Sequence, residues 1–461
     1  MVPAGHRNSF LHTIGFLALL AYFFFLVSRV LDLTVPQLRI PLVLFGLLLA
    51  GALFSGVTRL FSSRVNWFFG MHVAWIAVAV PFSYWRSGSF ELWRNSLKVI
   101  VFFYAIQILL SDWGKLRWAI RVLAAGLLTA ALLSILTGDS SSGRLKLQVG
   151  TLSDPNEFAM YMILGLCFVL QLWNTAKNRV AATMLSLPAV GLILISFLKT
   201  GSRGGLVALA VVFVIWVLHS RMMTRMLLVM CACVAMLLAP FFMTDYVKSR
   251  LLTFNTIDEQ EITDEQTASR LGGSVASTES RKQLVLESLE LTATHPLFGV
   301  GPGMFPLYSD LRAKEAGLRR GHWQPTHNMF TQISSECGVP ALLFYVAGLV
   351  VMVFSLRRIR QASDTFPAAE AMRETAGYLL MGFYGVVSAG MFLSIAYGTI
   401  VYVVVALSLA LVDIYDQEAA RYRKNLAVAA AAPGSQRDRR RLPGYRHPAM
   451  LPVRQTPGVR G

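Results

Sequence analysis

His327 and Asn328 stand side by side at the end of a long polar stretch, shortly before the chain turns almost wholly apolar past Gly338. Histidine titrates near neutral pH, so its imidazole can take a proton from a hydroxyl group. A hydrogen-bonded interface histidine is the bland alternative, and His295 and His322 compete for the reactive role within the same stretch. Arginine is the residue suited to gripping phosphate, because its planar fork donates two hydrogen bonds and keeps its charge. Arg203, Arg281, Arg319 and Arg320 all fall in or beside polar connections that read as lying on one side of the chain's apolar runs. Arg94 and Lys98, in the fourth run, are placed to face the same side. Each charge taken singly reads as a surface charge. Their convergence with His327 is the informative part.

Two further stretches share that side. In "LKTGSRGGLVAL" (198–209), Lys199 and Arg203 flank glycines that would let a ligand approach the backbone closely. Snorkelling to lipid headgroups is the other reading of both charges. In "GTLSDPNEFAM" (150–160), Asp154-Pro155-Asn156 is a turn signal that can also cap the next helix. Glu336 and Asn328 read as groups that orient neighbours. The acidic residues Asp258, Glu259, Glu261, Asp264 and Glu265 lie in a polar run beside no apolar span, so no metal site is expected.

The elements that must position these residues follow from composition. The chain has 461 residues, 55% hydrophobic and 15% charged, with a net charge of +17. Soluble domains carry about 25% charged residues. Apolar runs long enough to cross roughly 30 Å of hydrocarbon as helices recur throughout. The expected fold is all-α and polytopic, with about twelve transmembrane helices at 10–28, 40–57, 66–84, 93–110, 117–136, 157–173, 181–198, 204–219, 226–243, 339–356, 376–395 and 397–413. The first run, behind Arg7, reads as a retained span and not as a cleaved signal. Lys and Arg outnumber in the even-numbered gaps, which puts both termini in the cytoplasm. The positive charge therefore fits topology, and no nucleic acid partner is expected. Cys167, Cys231, Cys233 and Cys337 form no disulfide or metal framework.

Four regions result: spans one to nine over 1–241, a large polar loop over 242–338, spans ten to twelve over 339–413, and a basic disordered cytoplasmic tail over 414–461. The loop opens with "TIDEQEITDEQTASRLGGSVASTES", expected to be mobile. It continues with "SRKQLVLESLELTATHP", which has helical periodicity, and then a Gly/Pro-punctuated turn, "LFGVGPGMF".

The ordered set "GTLSDPNEFA", "TGSRGG", "SRKQLVLESLELTATHPLFGVGPGMF" and "HNMFTQISSECGVPALLF" resembles the O-antigen ligase and polymerase superfamily, bacterial inner-membrane glycosyltransferases of the GT-C type. His327, Asn328 and Gly338 keep the spacing of the family's ligases. The resemblance implies a glycan donor on undecaprenyl diphosphate, and metal-independent, inverting transfer on the periplasmic side without a cofactor. It implies Arg203 and Arg281 as diphosphate-binding residues and His327 as the catalytic histidine. Lys199, Asn328, Glu336, Asn156, Arg319 and Arg320 would support them.

The acceptor would be lipid A core or a protein for a ligase, and another lipid-linked repeat for a polymerase. The His-Asn spacing leans to ligase. A polysaccharide transporter or flippase is the competing class. Against it stand the long loop, the scarcity of mid-span charges and the lack of two-half symmetry.

Overall fold

The computed structural model describes residues 9–55, 63–141, 143–220, 222–243, 247–248, 265–315, 317 and 323–431. Among the described residues, twelve principal helices overlap the stretches where spans were expected. They are α1 (Ser9–Ser28), α2 (Ile40–Phe54), α3 (Arg64–Ala79), α4 (Arg86–Leu109), α5 (Trp113–Thr137), α6 (Pro155–Asn174), α7 (Arg179–Lys199), α8 (Arg203–His219) and α9 (Met222–Phe242), followed, after two loop helices, by α12 (Met329–Gln361), α13 (Ala369–Gly390) and α14 (Thr399–Ala431). The loop helices are α10 (Glu265–Thr294) and α11 (Phe305–Glu315). No strand is formed among the described residues. Among the described residues, eight helices are long and apolar enough to cross a membrane, and Ile40–Phe54, Arg203–Leu218 and Val229–Phe242 are shorter apolar helices. The chain is a multi-pass helical membrane protein.

Short polar side chains start several of these helices. Asp112, Asp154, Asn178, Ser202 and Asn328 each accept a backbone N–H of the first turn, satisfying donors that have no intrahelical partner. Small residues let helices approach in a medium that offers no hydrophobic drive for association. Gly15 of α1 and Gly51 of α2 meet backbone to backbone. α6 and α14 run through the centre of the bundle, with long stretches of consecutive buried residues.

Alternate connections gather at opposite ends of the bundle. At one end, Arg29 reaches Thr151, Leu145 N–H donates to the Lys199 carbonyl, Tyr84 N–H donates to Val300, and His327 N–H donates to Ser394. These contacts join the connections α1–α2, α3–α4, α5–α6, α7–α8 and α13–α14 with the end of the large loop. At the other end, His12 meets Lys115, Asn174 donates to Glu374, and Arg358 pairs with Asp416.

Four expectations change. The loop's first part is helical from Glu265 onward, since α10 continues straight into the periodic segment that follows. The tenth span is not preceded by loop up to residue 338. α12 begins at Met329 and breaks at Gly338, whose φ of 83° only glycine adopts easily and whose missing Cβ leaves room for the Leu297 carbonyl. The eleventh and twelfth spans do not nearly touch. α13 stops at Gly390, packed against Met329, and residues 391–398 form a non-helical connection before Thr399. Finally, α14 continues past residue 413 to Ala431, held by the Arg358–Asp416 and Arg423–Asp364 ion pairs and by Tyr415 and Tyr422 against Phe366. The rest of the expected tail, residues 432–461, lies outside the described residues.

Candidate active site

The site is built where the loop's end meets the connections. Residues 323–326 arrive without regular structure, and the chain must reverse to start α12. His327 makes that reversal with a φ of 53°, a left-handed conformation uncommon for a non-glycine residue though less so for histidine than for most. Asn328 then caps α12, its Oδ1 accepting from Phe330 at 2.9 Å and Thr331 at 3.1 Å. Its Nδ2 donates to the Met391 carbonyl at 3.3 Å. Below it, Gln332 accepts from Ala396 N–H, and Glu336 accepts from the Tyr397 hydroxyl at 2.9 Å. The connection 391–398 thus grips the whole first segment of α12.

A second polar cluster adjoins it. Asp154 caps α6 and accepts both the backbone and side-chain N–H groups of Asn156, at 2.6 and 2.9 Å. The Asn156 Oδ1 accepts from Arg144 at 2.8 Å and from the Ser202 hydroxyl at 2.9 Å. Arg144 also donates to the Thr200 carbonyl at 2.7 Å. Ser202 in turn caps α8 through Gly205 N–H. Asn156, buried, is the hub that locks the start of α6 to the start of α8. A small pocket adjoins it, lined by Asn156, Ser202, Gly204, Arg281 and, from the connection, Phe392 and Leu393. Gly204 belongs there for a steric reason, because a Cβ would strike the Phe392 ring.

Arg281, on α10, lines this pocket and also acts on His327. Burial is the main cause that pushes the imidazole pKa down to about 4; the Arg281 charge lowers it further, and Asp154 partly opposes both. At neutral pH His327 is therefore an uncharged proton acceptor. Arg203 is the first residue of α8, partly buried beside Gly204. A helix N-terminus carries partial positive charge, so an anion there meets both the arginine and the amides.

Not every expected residue joins this cluster. Lys199 ends α7, and its carbonyl accepts from Leu145 N–H, which ties it to the α5–α6 connection. Glu336 is buried below the histidine. It accepts from Gly303 N–H at 3.0 Å and so holds the 297–305 turn onto α12. Arg94 and Lys98 engage Glu91 and Asn95 of their own helix and are exposed. His295 is exposed past the end of α10, bonded to Thr294 and against Tyr308. At about 1.5 Å per residue, it sits roughly 20 Å along the helix from Arg281. Arg319, Arg320 and His322 lie outside the described residues. Among the described residues, no group of His, Cys, Asp or Glu could hold a metal ion.

Three functional candidates escaped the sequence reading. Arg144 stands in "SSGRLKLQVG", which carries no motif, though its position between two apolar runs marked it as outward. Ser394 and Tyr397 sat inside what read as spans, and only Gly390 and Gly398 hinted at a break.

No curated protein matches the chain. Residues 188–346 match the O-antigen ligase family, Wzy_C. The matched segment contains Arg203, Arg281 and His327, and leaves Arg144, Asn156 and Ser394 outside it. Over residues 188–346 the chain is similar to the O-antigen ligase family, which supports its resemblance to the O-antigen ligase/polymerase superfamily.

Proposed function

We propose that this protein is a glycosyltransferase of the bacterial inner membrane, with both termini in the cytoplasm, which moves a glycan from undecaprenyl diphosphate to an acceptor hydroxyl on the periplasmic side. The observation that carries the reading is Arg281, which lines the pocket at the start of α8 and whose charge also acts on the buried imidazole of His327. An imidazole held neutral next to guanidinium charge suits a base that must work beside an anionic leaving group.

In this mechanism His327 takes the proton of the acceptor hydroxyl as its oxygen bonds to the anomeric carbon. The bond from that carbon to the diphosphate oxygen breaks on the opposite face, so configuration inverts. Arg203 and Arg281 stabilise the charge gathering on the departing undecaprenyl diphosphate, the work a divalent cation does in other transferases. Lys199, Arg319 and Arg320 would add positive potential around the site, while Asn156, Asn328 and Glu336 hold its parts in register. No cofactor or metal is required. The His-Asn spacing at 327–328 favours a ligase, with lipid A core or a protein as acceptor.

The deciding experiment supplies purified protein with lipid-linked donor and, separately, lipid A core or a second lipid-linked repeat, all in excess EDTA. Transfer to the core acceptor in EDTA is expected. Elongated lipid-linked product would make the enzyme a polymerase, and activity that returns only with Mg²⁺ or Mn²⁺ would refute the metal-free mechanism.

A further inference from the structure

We propose that Ser394, on the connection between α13 and α14, is the positioning residue that holds His327 in its working conformation. The inference rests on the reading of His327 as the base.

The hydrogen-bond accounting around His327 leaves Ser394 a defined job. The Thr326 hydroxyl has one hydrogen, and it goes to the Asn328 carbonyl at 3.0 Å. The 3.3 Å contact between Thr326 and Ser394 must then be donated by Ser394. That leaves the Ser394 oxygen free to accept the backbone N–H of His327, which it does at 2.8 Å. Ser394, Thr326 and Asn328 thereby surround His327 with hydrogen bonds, and His327 is one of the four described non-glycine residues with a positive φ. A left-handed histidine needs its surroundings to over-determine it. With Ser394 as Ala, the His327 N–H loses its partner between two buried neighbours, Thr326 and Asn328.

The same connection has a second attachment. Leu393 and Phe392, immediately before Ser394, line the pocket with Arg281 and Asn156. Met391, Ala396 and Tyr397 hold Asn328, Gln332 and Glu336. One short segment therefore borders the proposed diphosphate pocket and fixes the backbone of the proposed base. A serine that filled space alone would need neither the acceptor geometry nor the donor chain.

The test compares Ser394→Ala, Ser394→Thr, His327→Ala and the double variant Ser394→Ala/His327→Ala in single-turnover transfer over a range of pH. A base misplaced by a fraction of an ångström to an ångström loses about 10- to 100-fold in rate. Ser394→Ala should show that loss with donor KM nearly unchanged, and Ser394→Thr, which keeps the hydroxyl, should restore most of it. The acid limb of the profile should move up as the loosened imidazole gains water. The double variant should be no slower than His327→Ala. If Ser394→Ala does not fold, Ser394→Cys, similar in size with a poorer hydrogen-bonding group, carries the same readouts. A normal rate and profile for Ser394→Ala (or, in its place, Ser394→Cys) beside a dead His327→Ala would overturn this inference alone, as would an Ala defect that persists without His327. A normal rate for His327→Ala would instead sink the base itself.

Discussion

The guanidinium of Arg281 comes from α10 and the imidazole of His327 from the turn ahead of α12, yet the charge of the first lowers the proton affinity of the second. The proposed anion holder and the proposed base are thus coupled electrostatically. Since the folded imidazole has its pKa pushed down to about 4, transfer should stay near its neutral-pH rate well below the usual histidine range, and fall as pH approaches 4. The neighbours move that limb in opposite senses. Arg281→Ala removes a positive charge, so residual activity should lose its acid limb at a higher pH. Asp154→Asn removes a negative one and should shift it lower. Limbs that fail to move, or that move together, would disprove the coupling.

For the arginines, the informative substitution keeps the charge. Arg203→Lys retains a cation at the start of α8 but loses the fork that donates two parallel hydrogen bonds. Loss of one donor to a developing anion costs roughly 10²–10³-fold in rate. Arg203→Ala and Arg281→Ala should each fall by about that much, and Arg203→Lys should recover only a minor part. Wild-type transfer by either alanine variant at normal expression would remove the diphosphate clamp.

Asn156 offers a prediction that no motif suggested at this strength. Its Oδ1 serves both Arg144 and Ser202, so Asn156→Ala leaves two donors short of a partner at once. An unmatched buried polar group costs about 1–3 kcal/mol. The variant should melt lower than wild type and transfer at least tenfold more slowly, because the starts of α6 and α8 are no longer locked. Arg144→Ala should reproduce part of this. A fully active, fully stable Asn156→Ala would show the hub to be dispensable.

How far the sequence carried the reading depends on the range of the interactions. Local signals served in part. The Asp154-Pro155-Asn156 turn signal does begin α6 through a cap formed within two residues, whereas the cap at Ser202 and the break of α12 at Gly338 were not read. Ser394 and Tyr397 were hidden for a different reason. Glycine and serine are common in transmembrane helices, so Gly390 and Gly398 did not interrupt the apolar run convincingly. Only partners about sixty residues away, His327 and Glu336, make the connection 391–398 necessary. The extension of α14 past residue 413 has the same origin, since its partners Arg358, in the last turn of α12, and Asp364, on the connection after it, are distant in sequence. Arg94 and Lys98 misled because a charge in a span suggests function, whereas here a neighbour one turn earlier satisfies each.

The sidedness of the proposal can be tested without activity. α10 carries Gly272 and belongs to the loop that packs at the Arg281 end of the bundle. In a background with the four native cysteines replaced, Gly272→Cys should react with an impermeant thiol reagent in intact spheroplasts. A cysteine at Ala362, on the connection beside Asp364 at the opposite end, should react only after lysis. The reverse pattern would invert the membrane orientation and put the site in the cytoplasm.

Last, His327 itself permits a substitution that separates backbone from chemistry. Its φ of 53° is costly for alanine and nearly free for glycine. His327→Gly should therefore be at least as stable as His327→Ala, with the fold around Ser394 intact and the donor bound through Arg281 as in wild type. Without a base it should lose about 10²–10⁴-fold in transfer. A small imidazole added to the solution should return part of the rate to His327→Gly by entering the space the side chain leaves, and should do nothing for Arg281→Ala. His295→Ala should remain near wild type, since that residue is exposed at the far end of α10. If His327→Gly is well folded and turns over normally, or if His295→Ala is the inactive variant, the base lies elsewhere and the pocket beside Arg281 must be read without it.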